Sequence, residues 1–387
     1  LPSTPSLKAF LCSTLSAGQL VGINGMMFST VSAGALRAAL EIHSIKLTAD
    51  FDPIDTIWTD RPTLPDAKIF VHDVKYAGVD ARTKIADIIA ALPAQQASSQ
   101  FVSALDEIAW TLNIRSNDVT YNPVATSFLY IAPADGSVLF VDSAKLTDEV
   151  TAYLSEQGVS VKPYTEVMQY IKSLPEDARV LIEPDRTAEA IDLALGQRSV
   201  HGASPIAEMK ACKTPVQIAG IKNAMRRDGV ALVHSFMEIE ERVAHDDGIT
   251  ELDVADILRR NRAAQDLFFD ESFGTIAGYE GHGAIVHYEA DGESASTLHP
   301  TGLLLIDSGA QYLDGTTDIT RTIALGTPTA QERRDFTLVM KGHIAMAKMI
   351  FPEGTNCAQI DVIARQYLWK NGLSYLHGTG HGVGNFL

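Results

Sequence analysis

The stretch TGLLLIDSGAQYLDGTTDITRTIALG, residues 301–326, contains the pattern from which we predict the fold around the candidate site. Leu303 to Ile306 are apolar and predict a strand that ends at Asp307. A turn at the Asp-Gly pair 314–315 leads into a second strand that begins near Asp318. Alternate side chains of a strand share a face, so Asp318 and the threonines that follow it are expected on one face.

Asp307 and Asp318 are eleven residues apart on strands that are expected to pair, so both carboxylates can point into one pocket. Like charges held that close repel each other, and the pair must share a proton or a cation. Oxygen ligands of this kind suit Mn, Mg or a similar divalent ion. The alternative is that both residues only cap turns, and Asp314 is assigned to a turn role alone.

A second candidate site is the sequence HGTGHGVG at residues 377–384. His377 and His381 are four residues apart, as in helical zinc motifs, but the four glycines argue against a helix and no glutamate lies between the histidines. A strand or a tight loop is therefore expected. A neutral imidazole of His381 would complete a mixed carboxylate and histidine metal site, and His377 would face the same side.

His287, in the sequence GHGAIVHY, is a third candidate. It lies on an apolar run, where a single histidine is more often a packing or surface residue than a ligand. The residues around it leave both readings open.

The composition excludes some classes of protein. Apolar residues make up 46% of the 387 residues and charged residues 20%, which is typical of a folded globular chain. The net charge of −17 argues against a general binder of nucleic acid or of anionic membranes. The longest apolar runs are too short to span a bilayer, and no signal peptide is visible. The three cysteines form no metal-binding pattern and are expected to be buried.

The order of predicted elements indicates an α/β and α+β multidomain fold. Residues 20–49 read as a β-α-β segment, and two apolar runs around residues 133–136 read as a hairpin. Thr214, Pro215 and Gln217 predict the start of a long helix with one apolar stripe, and Thr250 predicts the start of another. That stripe is predicted to consist of Ile218, Ile221, Met225, Leu232, Phe236, Ile239 and Val243. Further helices are predicted near residues 331–350 and 360–370.

Four motifs, DSGAQYLDGTTDITRT, YLHGTGHGVGNFL, AIVHY and LDEIAWTLNIR followed by NPV, resemble those of the Xaa-Pro aminopeptidases (aminopeptidase P). The long cytosolic eukaryotic type is the most similar. The resemblance implies the C-terminal part of a first creatinase-like α/β domain at residues 1–60, a second one at 65–204, and a pita-bread metallopeptidase domain at 205–387 that lacks its C-terminal portion.

The resemblance also implies two divalent metal ions, most often manganese, and a role for each candidate residue. Asp307, Asp318 and His381 fall on metal ligands of the family, whereas His287 and His377 match histidines that contact substrate and help to stabilise the tetrahedral intermediate. The implied reaction releases the N-terminal residue of a peptide whose second residue is proline, by attack of a hydroxide that bridges the metals. A cytoplasmic location is implied, together with a homodimer of the full-length protein.

The family pattern continues into two glutamate ligands that would follow Leu387. We therefore expect these residues to be an internal piece of a longer protein that, in isolation, binds two metals poorly and catalyses little. Two alternatives remain open. One is a pita-bread module that has lost catalysis and binds other proteins, and the other is an enzyme of the same fold that acts on dipeptides ending in proline, as a prolidase does, or on creatine.

Overall fold

A parallel β-α-β segment lies near the start of the structure, a computed structural model that describes residues 4–387. The first elements are α1 (Leu7–Thr14), β1 (Leu20–Gly22), α2 (Thr30–Glu41), β2 (Lys46–Thr48) and α3 (Ile54–Ile57). β1 pairs with β2 in parallel, as the sequence predicts. The hydroxyl of Ser29 caps α2 by accepting a hydrogen bond from the backbone N–H of Ser32. Buried apolar side chains hold the segment together: Ile23, Ala33, Leu36, Leu40 and Ile45.

A six-stranded mixed sheet follows, with strand order β10-β9-β4-β6-β7-β8. The elements of this part are β3 (Phe70–Val71), α4 (Val74–Ala77), α5 (Ala81–Ala91), β4 (Ser99–Val102), α6 (Leu105–Leu112), β5 (Ile114–Arg115), β6 (Ser127–Ile131), β7 (Ser137–Val141), α7 (Asp148–Glu156), β8 (Val159–Pro163), α8 (Val167–Ser173), β9 (Val180–Ile182), α9 (Glu189–Leu195), β10 (Ser199–His201) and α10 (Pro205–Ala211). β6 and β7 form the predicted antiparallel hairpin. Both strands are buried on both faces, because one apolar cluster lies on each side of the sheet.

The long helix predicted from Thr214 is α11 (Pro215–Ala244). The predicted start is confirmed, since the backbone N–H of Gln217 donates to the Thr214 hydroxyl at 3.2 Å and the Gln217 side chain accepts from Thr214 N–H at 3.0 Å. The predicted apolar stripe is only partly right. Its C-terminal half is buried, whereas Ile218 and Met225 are exposed, because the first half of the helix buries a face centred on Asp228.

The remaining elements form two three-stranded antiparallel sheets and three helices. They are α12 (Glu251–Ala263), β11 (Phe268–Glu271), β12 (Ile276–Tyr279), β13 (Leu303–Ser308), β14 (Ala310–Tyr312), β15 (Gly315–Thr316), β16 (Ile319–Ala324), α13 (Ala330–Ala347) and α14 (Cys357–Trp369). One sheet has the order β11-β14-β15 and the other the order β12-β13-β16. The helix predicted from Thr250 is confirmed, with a capping box to Asp253, and so are the two helices near the end of the chain.

The chain divides into two compact units, one that ends at Ile218 and one of residues Ala219–Phe386. A six-stranded mixed sheet with helices in the first unit and antiparallel sheets with helices in the second confirm the predicted α/β and α+β class. The division into three domains stays a prediction. Among the helices of residues 4–387, none combines the length and hydropathy that a bilayer-spanning helix needs. The expectation of buried cysteines is wrong for Cys212 and Cys357, which are exposed.

Candidate functional site

Two paired strands position the carboxylates of the candidate site. β13 and β16 pair antiparallel, and Asp307 lies opposite Thr320. Asp318 precedes β16 by one residue and Thr320 by two, so its side chain lies on the same face as that of Asp307. The strand register therefore places the two carboxylates on neighbouring strands and on the same face, as predicted.

The two carboxylates influence each other electrostatically. Partial burial raises the pKa of Asp318, the negative charge of Asp307 raises it further, and nearby His381 opposes this shift. One oxygen of Asp307, Oδ1, is buried and has no hydrogen-bond partner among the described residues. A buried acceptor without a donor is unfavourable, so Asp307 Oδ1 is available to a cation.

His381 supplies a nitrogen to the same place. Its Nε2 lies 3.3 Å from Oδ2 of Asp318, and its Nδ1 lies 2.8 Å from the carbonyl oxygen of Gly382. A carbonyl oxygen only accepts, so Nδ1 is the nitrogen that donates to Gly382, and Nε2 is the nitrogen that faces the carboxylate. Such an imidazole, with Nδ1–H bonded to a carbonyl, is the usual form of a metal-binding histidine.

The donor set therefore fits a divalent cation in its chemistry: two carboxylates, one of which has an unpaired oxygen, and one imidazole nitrogen. The interactions are pairwise: an electrostatic one between Asp307 and Asp318, and a contact between Asp318 and His381. Within residues 4–387, no three His, Cys, Asp or Glu side chains already converge as a complete metal-binding group. The assignment of all three residues as ligands of one centre stays a proposal.

His377 lies on an irregular loop, because residues 376–387 contain neither helix nor strand. The prediction of a tight loop is confirmed and the strand alternative is wrong. The His377 ring stacks on Tyr375 with ring centroids 4.6 Å apart, and its Nδ1 lies 2.7 Å from the carbonyl oxygen of Gly378. In the described chain no hydrogen bond or ion pair joins His377 to Asp307 or Asp318.

His287 lies in a turn and is exposed, with a left-handed backbone conformation at φ 54°. The neighbouring Ile285 and Val286 are about half exposed, so the apolar run expected around His287 is not a buried strand. No hydrogen bond or ion pair of the described residues joins His287 to the carboxylates. The substrate-binding and catalytic roles of His287 and His377 thus remain proposals.

Sequence reasoning missed a buried carboxylate beside this turn. Glu251, the first residue of α12, is fully buried. Its oxygens accept hydrogen bonds from the backbone N–H groups of Tyr279 at 2.7 Å and Ser296 at 2.8 Å, and from the Tyr288 hydroxyl at 2.9 Å. His282 Nδ1 lies 3.0 Å from the same carboxylate. Glu251 thereby fixes the segment on which His287 is located. A glutamate in the first turn of a helix is normally exposed, so the sequence carried no signal of this role.

Comparison with known proteins identifies the families that the chain matches. Residues 60–217 match the Creatinase/Prolidase N-terminal domain family, and residues 219–387 match metallopeptidase family M24. Aminopeptidase P2 of Arabidopsis thaliana is 39% identical to the chain over 99% of the chain and 59% of its own length. A probable Xaa-Pro aminopeptidase P of Sordaria macrospora is 38% identical over 100% of the chain and 65% of its own length.

Among solved structures, an X-prolyl aminopeptidase of Caenorhabditis elegans superposes with a TM-score of 0.93 at 30% sequence identity. The match covers 100% of this chain and 64% of the nematode protein, which is described as a cytosolic enzyme with a di-nuclear active site. The chain thus spans about three fifths of the length of the curated relatives that it matches. On these matches the chain belongs to metallopeptidase family M24, with a creatinase/prolidase N-terminal domain before the peptidase domain.

Proposed function

We propose that this protein is a metallo-aminopeptidase that hydrolyses the bond between an N-terminal residue and a proline in second position. The observation that carries the proposal is the contact between Asp318 and His381 on the face that also holds the unpaired oxygen of Asp307. The family membership and the names of the relatives support it.

Asp307, Asp318 and His381 would hold the metal, and the expected complement is two divalent ions. Carboxylate oxygens suit Mn²⁺ as well as Mg²⁺, and the family resemblance favours Mn²⁺. When bound, such ions polarise a scissile carbonyl and supply a nucleophile at neutral pH. The di-nuclear site of the nematode relative supports the count of two.

The protein's own residues have separate tasks. The carbonyl of Gly382 fixes the His381 ring so that Nε2 faces Asp318. His287 and His377 would contact the substrate and donate hydrogen bonds to the developing oxyanion. Both rings are exposed and therefore accessible to a peptide.

The substrates would be peptides with proline in second position. The cytosolic location of the nematode relative supports the same location here. A homodimer of the full-length protein belongs to the same proposal.

The test begins with metal binding. Mn²⁺ titrated into the longest polypeptide that the gene encodes and followed by electron paramagnetic resonance gives the affinity. Asp318→Asn removes a proposed ligand and should weaken it by at least the roughly 10–100-fold that loss of an outer-shell partner costs. Asp256→Asn, an exposed carboxylate on α12, is the matched control and should leave the affinity unchanged. Equal affinities for the two variants would overturn the proposed site.

The substrate class is tested on the longest polypeptide that the gene encodes, supplied with Mn²⁺. Three substrates separate the alternatives: a tripeptide Xaa-Pro-Ala, the tripeptide Xaa-Ala-Ala and the dipeptide Xaa-Pro. Cleavage of Xaa-Pro-Ala alone is expected. Cleavage of the dipeptide alone would make the protein a prolidase, and cleavage of none would favour the binding module; either result contradicts the proposal.

A further inference from the structure

Two charged residues of α14 contact the loop that carries His377 and His381. Asp361 and Arg365 are one helical turn apart and form an ion pair, with Nε 2.6 Å from Oδ2. The side chain of Arg365 is only 15% exposed. On a solvated helix, the side chains of an ion pair with this spacing are usually mobile. The burial of Arg365 against the loop therefore indicates that the pair also stabilises the loop.

Arg365 binds the loop backbone with the rest of its guanidinium group. Nη1 donates to the carbonyl oxygen of Tyr375 at 2.7 Å, and Nη2 donates to that of His377 at 3.0 Å. The guanidinium carbon also lies 4.0 Å from the centre of the Tyr375 ring. This is the planar ring on which His377 stacks, so one arginine fixes the backbone and the side-chain platform of His377.

Asp361 binds the loop two residues beyond His377, at Thr379. Its Oδ1 accepts a hydrogen bond from the hydroxyl of Thr379. The Thr379 hydroxyl is also 2.6 Å from that of Tyr375. The helix thus holds residues 375, 377 and 379, and His381 is the next alternate position along the chain.

The loop needs such support because residues 375–384 contain four glycines, at 378, 380, 382 and 384, and no regular structure. Glycine loses more conformational entropy on ordering than other residues do, so an unsupported segment of this composition would sample many conformations. A metal ligand on such a segment would have to be ordered at the moment of binding, which lowers affinity.

We propose that Asp361 and Arg365 are positioning residues that order the loop 375–381 and hold His381 at Asp318 before a metal binds. The proposal rests on the metal site proposed above. Neither residue would be a metal ligand. Both would raise metal affinity by holding the loop that carries His381.

Two substitutions and one control test the proposal. Arg365→Lys keeps the charge opposite Asp361 but cannot donate to two carbonyl groups in a fixed fork. Thr379→Val removes only the hydroxyl that Asp361 binds. Arg260→Lys is the control, because Arg260 forms an exposed ion pair with Glu238 on the same unit.

The first readout needs no metal. Stacking on Tyr375 should shift the ring protons of His377 upfield in the NMR spectrum of the metal-free protein, and both loop variants should lose this shift. The second readout is Mn²⁺ affinity, which should fall about tenfold or more in both loop variants, the range seen when groups that orient ligands are removed. The control should keep the histidine signals and stay within about twofold of the parent in affinity.

The outcomes separate this proposal from the site on which it rests. Unchanged histidine signals in both loop variants would overturn it, even if the variants melt at lower temperature, and so would unchanged affinity where Asp318→Asn still weakens binding. Loss of Mn²⁺ binding in Asp318→Asn, together with a tenfold loss in the loop variants, supports both proposals. If Asp318→Asn has no effect on affinity, the metal site itself fails, and with it this assignment to α14.

Discussion

Asp228 of α11 and Arg262 of α12 form a bidentate ion pair in which neither side chain is exposed to solvent. The two distances are 2.7 Å from Nε to Oδ1 and 3.1 Å from Nη2 to Oδ2. The hydroxyl of Tyr312 on β14 donates to the same carboxylate at 3.0 Å. This polar cluster joins α11 and α12 to β14, the strand that follows Asp307. The elements that support the candidate site therefore contain a buried pair of charges.

Replacing Arg262 with methionine is expected to destabilise the protein by about 3–5 kcal/mol, because it leaves the Asp228 charge buried without its partner. Urea unfolding measures the difference. Arg260→Met breaks an exposed ion pair on the same helix and should cost no more than about 1 kcal/mol. Equal losses of unfolding free energy in the two variants would show that the buried ion pair contributes no more to stability than the exposed one.

Lys84 of α5 should make the stability of the protein depend on pH. The side chain is 4% exposed, and its ammonium group donates to the carbonyl of Trp110 at 2.7 Å and to Asn113 Oδ1 at 2.6 Å. Both acceptors are neutral. Burial, with a smaller contribution from the charge of Arg115, lowers the pKa of Lys84 to about 7.

The sign of the effect follows from proton counts. Between pH about 7 and the ordinary lysine pKa of about 10.5, the unfolded chain holds a proton on Lys84 that the folded chain has released. The free energy of unfolding should therefore rise with pH over this window. Urea unfolding at several pH values should show this rise in the parent and in Lys172→Met, an exposed lysine, but a smaller rise in Lys84→Met. Equal slopes in all three would show that Lys84 keeps an ordinary pKa.

Asp318→Asn should stabilise the metal-free protein while it weakens metal binding. The substitution removes the repulsion between two carboxylates, an interaction on the order of 1 kcal/mol for charges a few ångströms apart in water. Thermal unfolding in the presence of a chelator should show a higher melting temperature for Asp318→Asn than for the parent. Asp256→Asn should not raise it. A lower melting temperature for Asp318→Asn would mean that repulsion between the two carboxylates does not destabilise the metal-free protein.

Gly309→Ala should disturb the candidate site by steric overlap. A Cβ at Gly309 would overlap the carbonyl oxygen of Thr317 and the hydroxyl of Ser272, and backbone atoms cannot move aside easily. The expected cost is about 1–3 kcal/mol or more, together with weaker Mn²⁺ binding because Asp307 and Asp318 flank the overlap. Gly292→Ala is the control, since a Cβ there meets no atom within 4 Å. Wild-type stability of Gly309→Ala would show that β13 and residue 317 are not packed as described.

The parts that the sequence predicted well are those governed by short-range pattern. The strand that ends near Asp307 follows from an apolar run and the strand after Asp318 from alternation. The starts of α11 and α12 follow from capping residues next to helical periodicity. These signals lie within a few residues of each other, so tertiary structure changes them little.

The parts that could not be predicted depend on what a helix packs against. Glu251, Asp361 and Arg365 are charged residues on helices, and such residues are normally solvated. Only the folded chain shows that a loop turns back onto each of them. The exposed first half of the predicted α11 stripe has the same origin, because buried Asp228 lies on a face that periodicity of apolar residues does not reveal.

The register that sets Asp307 opposite Thr320 has a consequence for how the gene can change. A shift of β13 against β16 by one residue would place Asp307 and Asp318 on opposite faces of the sheet. Point substitutions on the exposed side of these strands leave the register intact, whereas loss or gain of a single codon within either strand would separate the two carboxylates at one step. Natural versions of this protein should therefore vary in length at the turns outside β13 and β16 and keep both strands at constant length.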